Sequence, residues 1–448
     1  MNNIRSIPNK KNTLKETSPI ALKKPPLEIQ NIEINNQFSK NKNESISQIN
    51  ELITDGQFLR AELMYSRLYT MYPNNSTISI AYAQFYIKRG LPKNAIEILN
   101  KISNNHSLSN IDNAIICREK GNAEEIRGNN KEAEIQYRES IKLLNDCLEK
   151  EEKAKSLIKL GGILKKNGTT QEQALDILND ALKLYVELKD KKGQTKAYEY
   201  MGLIYKTMGK IEDAEKSYSN ALKNIDVIDD EIKANIFSNL GVILRVKGLC
   251  NDAILKHNEA YDLFKKIADT KGQSRELGNL GVAYRQLKKY DIAEEKHQAS
   301  LKIARDFGHT SNIVMQLDNL GMVAFEQIPP KFDEALEYYF QALGINQSVN
   351  NKIGVSFQMR HIGEVYIAQE EYTKARDILL DAIELNKNNE FETALTKAIL
   401  AKALFGIGDK GESLRHAINS LRVLEQSAPN YDITKSMKEL VANLESQI

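Results

Sequence analysis

Tryptophan is absent from this sequence of 448 residues, and cysteine occurs only three times. Cys117, Cys147 and Cys250 are odd in number and far apart, which indicates reduced thiols in a cytoplasmic protein rather than a disulfide framework. No stretch approaches the ~18 consecutive apolar residues of a membrane-spanning helix, so we expect no span. Residues 1–15 are polar and lack the apolar segment of a secretory signal.

An excess of one charge is also lacking, since the net charge is only +2. This near neutrality gives no support to binding of nucleic acid or of an acidic membrane surface by the whole molecule. The sequence contains no phosphate-binding glycine-rich loop, and its six histidines show no metal-binding spacing. We therefore expect no enzymatic activity, no cofactor and no metal site.

What the sequence does contain is an internal repeat. Residues 239–245 read NLGVILR, residues 279–285 read NLGVAYR, and a third copy opens with NLG at 319–321. Self-similarity at a period of roughly 20 to 50 residues indicates stacked repeats, each too small to bury its apolar face alone. The sequence therefore predicts an all-α solenoid of helix pairs.

A small residue marks the second helix of every predicted unit. These markers are Ala61, Ala95, Ala133, Ala174, Ala214, Ala253, Ala293, Ala335, Ala375 and Ser413. Seven of the first helices carry a glycine twelve to fourteen residues before the marker. Glycine inside a helix is unfavourable by about 1 kcal/mol relative to alanine, so its recurrence predicts close approach of the neighbouring helix. A second glycine, seven residues later, is expected in the turn between the two helices.

These positions resemble the signature of the tetratricopeptide repeat family. The Leu-Gly pair, a tyrosine three residues after the glycine (Tyr205, Tyr284), the small marker and a large residue four positions beyond it all fit. The resemblance implies a right-handed superhelical solenoid of about ten helix-turn-helix repeats. The repeat length is most similar to the long-repeat branch that includes the Pins/LGN adaptors, kinesin light chains and Rap-type regulators.

The domain boundaries follow from composition and periodicity. Residues 1–44 are rich in Asn, Lys and Pro and should form a disordered basic tail, because they cannot bury enough apolar surface to offset the entropy of ordering. A short docking motif within this tail is the alternative. Residues 45–427 are predicted to form the solenoid, and residues 428–448 a capping helix over its last unit.

The candidate binding residues lie on the first helices, which line the concave groove of this fold. The predicted groove set is Asn239, Asn279, Asn319, Arg245, Arg285, Lys159, Lys166 and Lys206. Asparagine both donates and accepts hydrogen bonds along a peptide backbone, and arginine holds a carboxylate with two parallel bonds. The groove is expected to be basic in its middle and more acidic toward Asp318, Glu326 and Glu364. Alternatively, the asparagines bridge neighbouring helices and the charges are only solvated.

The leading functional prediction is a non-enzymatic scaffold or adaptor that binds a protein or peptide segment, with Asp or Glu in that segment, in the groove. Two alternatives are a structural component of a cytoskeletal or ciliary assembly and a regulator that responds to a peptide. His257 and His297 occupy the large-residue position of their repeats, so we expect core roles for both. The partner and the oligomeric state do not follow from the sequence.

Overall fold

The computed structural model describes residues 42–104, 107–145, 147–164, 171–224, 229–428 and 431–446. Within these residues the chain forms 21 α-helices and no strand. The helices are α1 (Lys42–Thr54), α2 (Phe58–Met71), α3 (Ser76–Lys88), α4 (Pro92–Ser103), α5 (Asn110–Ile126), α6 (Asn130–Leu143), α7 (Lys150–Leu164), α8 (Gln171–Glu187), α9 (Lys191–Thr207), α10 (Ile211–Leu222), α11 (Asp230–Val246), α12 (Cys250–Lys266), α13 (Thr270–Gln286), α14 (Tyr290–Asp306), α15 (Thr310–Glu326), α16 (Phe332–Ser348), α17 (Lys352–Ala368), α18 (Tyr372–Asn386), α19 (Glu390–Ile407), α20 (Lys410–Ser427) and α21 (Asp432–Glu445). None of the helices in the described ranges is both long and apolar enough to cross a membrane.

The chain divides into two compact units, with the boundary between Leu108 and Ser109. The first unit contains α1 to α4, and each of these helices packs on the next. In the second unit, each odd-numbered helix from α5 to α19 packs on the even-numbered helix that follows it. We call these the first and second helices of a repeat. Contacts between α7 and α9, α9 and α11, and α11 and α13 join successive first helices into one layer. The predicted all-α solenoid of helix pairs is confirmed.

The small markers and the repeated glycines hold each pair together. Every predicted marker, from Ala61 to Ser413, is fully buried. A Cβ built on the glycine of a first helix would lie 2.5 to 2.8 Å from the large side chain of the paired second helix. These glycine contacts are Gly121 with Tyr137, Gly161 with Leu178, Gly202 with Tyr218, Gly241 with His257, Gly281 with His297, Gly321 with Tyr339 and Gly363 with Leu379. The glycine is therefore required because a ring or a leucine side chain lies directly against the helix backbone.

The turns inside the pairs use the left-handed backbone region, as predicted. Gly128, Gly209 and Gly248 all have positive φ. Lys288 and Glu370 take the same conformation without being glycine, at φ of 57° and 63°. The predicted turn glycine Gly168 lies outside the described residues. A residue with a Cβ is strained in this region, so those two turns are less favourable than the glycine turns.

A helix-start signal was missed in the sequence. Asp190 and Asp269 stand just before α9 and α13, and each accepts a hydrogen bond from the backbone N–H of the glycine three residues later, at 2.9 and 3.0 Å. Such side-chain caps satisfy an otherwise unpaired N–H of the first turn. The Asp-x-x-Gly spacing was visible in the sequence and could have located both helix starts.

The two ends of the chain bear on the predicted domain boundaries. Residues 1–41 of the predicted tail lie outside the described residues, and α1 begins at Lys42, inside the predicted tail range. At the other end, α21 buries Met437 and Leu444. Met437 belongs to an apolar cluster with residues of α19 and α20. The boundaries at 44 and 427 remain predictions.

Candidate partner-binding face

The predicted groove residues lie on the layer of first helices in the second unit. We call their surface the first-helix face and define it by Lys159 on α7, Lys206 on α9, Asn239 and Arg245 on α11, Asn279 and Arg285 on α13, and Asn319 on α15. All of these side chains are half-buried. Lys166, the remaining predicted member, lies outside the described residues. The face therefore spans five successive first helices.

The three asparagines of the face differ in what they contact. The Oδ1 atom of Asn239 accepts a hydrogen bond from the Lys206 ammonium at 2.7 Å, which joins α9 to α11. The Asn279 amide donates to the Glu276 carboxylate on its own helix at 3.3 Å. Asn319 makes no side-chain hydrogen bond to any residue that the structure describes. The bridging interpretation thus describes Asn239, while Asn319 keeps its hydrogen-bonding groups available.

Lys206, Arg245 and Arg285 form a row of cations on neighbouring first helices. Each follows the repeated glycine of its helix by four residues. Arg285 forms an ion pair with Glu326 on α15, but its Nε atom is buried without a hydrogen-bond partner in the described part of the chain. The side chain of its neighbour in the row, Arg245, has no ion pair or hydrogen bond within the described ranges.

Arg245 is consequently a cation in an environment that disfavours its charge. Burial lowers the pKa of Arg245, and the positive charge of Arg285 lowers it further. Both effects disfavour the charged form of the guanidinium, although an arginine stays charged in proteins. A carboxylate bound beside Arg245 would remove this penalty.

Lys159 is a second half-buried cation on the face. Burial lowers the pKa of Lys159, while the nearby carboxylates of Glu119 and Glu125 act against this shift. No described residue forms an ion pair with its ammonium. Lys159 is thus attracted to acidic groups without touching one.

The acidic residues predicted toward the end of the face are largely engaged. Glu326 pairs with Arg285. Asp318 accepts a hydrogen bond from Gln358 at 3.2 Å and lies 3.8 Å from the His361 ring, while Glu364 lies 3.2 Å from that ring. Burial raises the pKa of Asp318. These contacts join α13, α15 and α17, so the acids stabilise the layer.

One acidic residue of this surface was missed in the sequence. Glu199 lies on α9, three residues before Gly202, and is half-buried. Burial raises the pKa of Glu199 to about 7. Its repeat position was a usable signal, because Asp318 and Arg360 stand at the same distance before their own glycines and reach the next first helix.

Four segments of the chain match models of a known repeat. Models of the tetratricopeptide repeat match residues 52–111, 195–224, 276–311 and 361–389. Together with the stacked helix pairs, these matches confirm the resemblance to the tetratricopeptide repeat. No curated protein matches the sequence.

Solved structures resemble the fold over most of the chain at low sequence identity. The apo form of the quorum sensor NprR from B. thuringiensis is 14% identical, covers 77% of this chain and 98% of its own, and superposes with a TM-score of 0.59. A Rap protein in complex with competence and sporulation factor is 15% identical, with 77% and 97% coverage and a TM-score of 0.52. A signal-transduction ATPase with a tetratricopeptide repeat sensor from Pyrococcus horikoshii is 16% identical, with 82% and 55% coverage and a TM-score of 0.56.

Proposed function

We propose that this chain is a cytoplasmic, non-catalytic scaffold that binds a segment of a partner protein on the first-helix face. An Asp or Glu of the segment is held by Arg245, and Asn319 hydrogen-bonds the segment's backbone. The observation that carries this proposal is the environment of Arg245. Its guanidinium is half-buried beside a like charge and pairs with no described residue.

Desolvation of the Arg245 guanidinium favours a contact with a carboxylate. A guanidinium on a protein surface normally retains its hydration or contacts a carboxylate. Arg285, one repeat further on, has such a carboxylate in Glu326, whereas α13 offers no acid at the equivalent distance from Arg245. A partner carboxylate would accept charge-assisted hydrogen bonds there, and these are about twice as strong as neutral ones. The proposed contact therefore adds to the binding energy without any rearrangement of the helix pairs.

The test is selection of displayed random peptides on the immobilised full chain. We expect the selected peptides to be enriched in Asp or Glu and to bind the Arg245→Glu variant at least tenfold more weakly. The matched control is Arg138→Glu on α6, since Arg138 is an exposed arginine paired with Glu134 on a second helix. Peptides that bind wild type and Arg245→Glu equally would refute the assignment of this face.

A second candidate is a regulator that responds to a peptide signal. Its support is the likeness of fold to the Rap protein and to the quorum sensor. Small-angle X-ray scattering of the complex with a selected peptide separates the two candidates, because a regulator would become more compact and a scaffold would keep its dimensions. If no peptide depends on Arg245, a structural component of a cytoskeletal or ciliary assembly becomes the leading alternative.

A further inference from the structure

The proposed contact at Arg245 leaves one group of the same surface unexplained. The side chain of Glu199 on α9 makes no hydrogen bond and no ion pair with any part of the chain that the structure describes. At the same repeat position, Ser238 donates to Glu276, Asp318 accepts from Gln358, and Arg360 pairs with Glu392. Each of those three side chains reaches the next first helix. Glu199 therefore stands where three of its repeat equivalents have partners, but none of the described residues pairs with it.

A second polar group beside Glu199 is also unsatisfied. The hydroxyl of Tyr218 on α10 is buried and has no hydrogen-bond partner among the described residues. The equivalent hydroxyl of Tyr137 has two acceptors within hydrogen-bond distance, Asn122 Oδ1 at 2.9 Å and Glu125 Oε2 at 3.1 Å. The Tyr218 ring lies against Gly202, which follows Glu199 by three residues on α9. After burial, the charge of Glu199 raises the pKa of Tyr218 further. A carboxylate and a hydroxyl without partners disfavour burial, and a ligand can satisfy both.

The groups around Glu199 do not neutralise it. On its own helix, Lys196 is exposed and lowers the pKa of Glu199 less than burial raises it. From α11, Glu231 raises that pKa further. On α7, the charge of Lys159 interacts with that of Lys196. Tyr200 and Tyr218 contribute only phenols. The site has an unmet preference for a positive charge.

We propose that Glu199 and the Tyr218 hydroxyl bind the amine or guanidinium of a Lys or Arg in the same partner segment whose carboxylate binds Arg245. This inference rests on the proposed function and specifies the partner as a segment that carries both charges. The N–H groups of the partner donate to the carboxylate and to the phenol oxygen.

The register of the helices sets the spacing of the two charges. Glu199 precedes its glycine by three residues and Arg245 follows its own by four, on first helices that pack against each other. Seven residues of helical rise and one interhelical distance of about 8 to 10 Å separate the two sites by roughly 14 Å. An extended segment covers that distance in about four residues. The two partner charges should therefore be about four residues apart.

The probes for this test are fluorescein-labelled peptides of twelve residues built from Ala, Ser and Leu. Each carries one Glu and, at a separation of one to six residues, either one Lys or the uncharged norleucine. Binding to the full chain is measured by anisotropy at pH 8 and pH 6. At pH 8 we expect the Lys peptide with a separation of about four to bind roughly tenfold more tightly than its norleucine counterpart.

The pH dependence is a second readout that packing alone would not produce. Because the pKa of Glu199 is about 7, this carboxyl is mostly ionised at pH 8 and mostly protonated at pH 6. The gain from Lys should therefore fall from about tenfold at pH 8 to about twofold at pH 6. It should disappear at both pH values in Glu199→Gln. The control Glu212→Gln, which changes an exposed glutamate on α10, should keep the gain and its pH dependence.

The outcomes separate this inference from the proposed function. If the Glu peptides bind in an Arg245-dependent way but Lys gives no gain at any separation, the Glu199 site is wrong and the face assignment stands. A gain that persists in Glu199→Gln would likewise show that the Glu199 site is wrong while the face assignment stands. If no Glu peptide binds at all, both the proposed function and the Glu199 site are overturned.

Discussion

Two consecutive repeats, α11–α12 and α13–α14, place a histidine at the same buried position with different chemistry. His257 lies against Gly241 and His297 against Gly281, where a Cβ would come within 2.6 and 2.5 Å of the ring. Each histidine contacts, through Nδ1 at 2.8 Å, the side chain found 19 residues later. That side chain is Glu276 in the first case and Gln316 in the second. The backbone framework is the same, and one partner residue differs.

The partners determine the charge of the two interfaces. Burial acts to raise the pKa of Glu276, but the hydrogen bond and charge of His257, with help from Ser238 and Arg275, hold it below its usual value. Burial lowers the pKa of His297 to about 4, because Gln316 supplies a hydrogen bond without a negative charge. The repeat framework therefore determines shape, while a residue from the next helix determines whether the interface is ionic.

The residues beside Glu276 and Gln316 differ in a corresponding way. Ser238 donates to Glu276 at 2.6 Å, and Gly278 stands at the equivalent position one repeat later. A Cβ on Gly278 would come within 2.7 Å of the Gln316 amide. The glutamine side chain thus occupies the space that a serine would need. The two interfaces therefore differ in the residues around the histidine partner as well as in that partner.

Removal of the acidic partner should cause the largest loss of stability at either histidine interface. Glu276→Ala leaves Ser238, His257 and Arg275 without their shared acceptor, so we expect a loss of about 3 to 5 kcal/mol in the free energy of unfolding. Gln316→Ala removes a neutral acceptor and should lose about 1 to 3 kcal/mol. Urea unfolding of the full chain, followed by circular dichroism, measures both losses. Equal losses would mean that the His257 interface is not ionic.

The neutral histidine predicts a specific dependence of stability on pH. The pKa of His297 is about 4 in the folded protein and 6.5 in the unfolded chain. The unfolded chain therefore binds more protons than the folded protein between pH 4 and pH 6.5. Stability should therefore fall as the pH falls from 6.5 to 4, by up to roughly 3 kcal/mol from this residue. His297→Tyr copies the residue that Tyr339 provides on Gly321, so it should remove this part of the slope. An unchanged slope in urea unfolding at pH 7, 6, 5 and 4 would contradict the assignment.

The smallest expected difference concerns the turns of the same two repeats. Gly248 in the α11–α12 turn and Lys288 in the α13–α14 turn both have positive φ. Lys288→Gly should raise the free energy of unfolding by about 0.5 to 1 kcal/mol, and Gly248→Lys should lower it by about 1 kcal/mol or more. Thermal unfolding measures both shifts. Changes of the same sign would show that the backbone conformation is not the deciding factor at these turns.

Much of the fold was predictable because its signals are local. The buried markers and the repeated glycines come from residues within a single helix pair, and the sequence shows both at regular spacing. The packing of His257 and His297 in core positions was predictable for the same reason. The groove set was predictable only as a list of candidates, since repeat position identifies the helix and its face but not the contacts of each side chain.

What the sequence by itself determined is the repeat: which helices form, how each pair packs, and which cations follow the glycines of neighbouring first helices. Only the tertiary structure decided that Arg285 has a carboxylate partner, while Arg245 and the half-buried Glu199 pair with no oppositely charged group among the described residues. The physical reason is the separation in sequence between the residues that make each contact. Helix packing depends on residues a few positions apart, whereas an ion pair between repeats depends on whether side chains about 40 residues apart reach each other, and repeat spacing does not encode that.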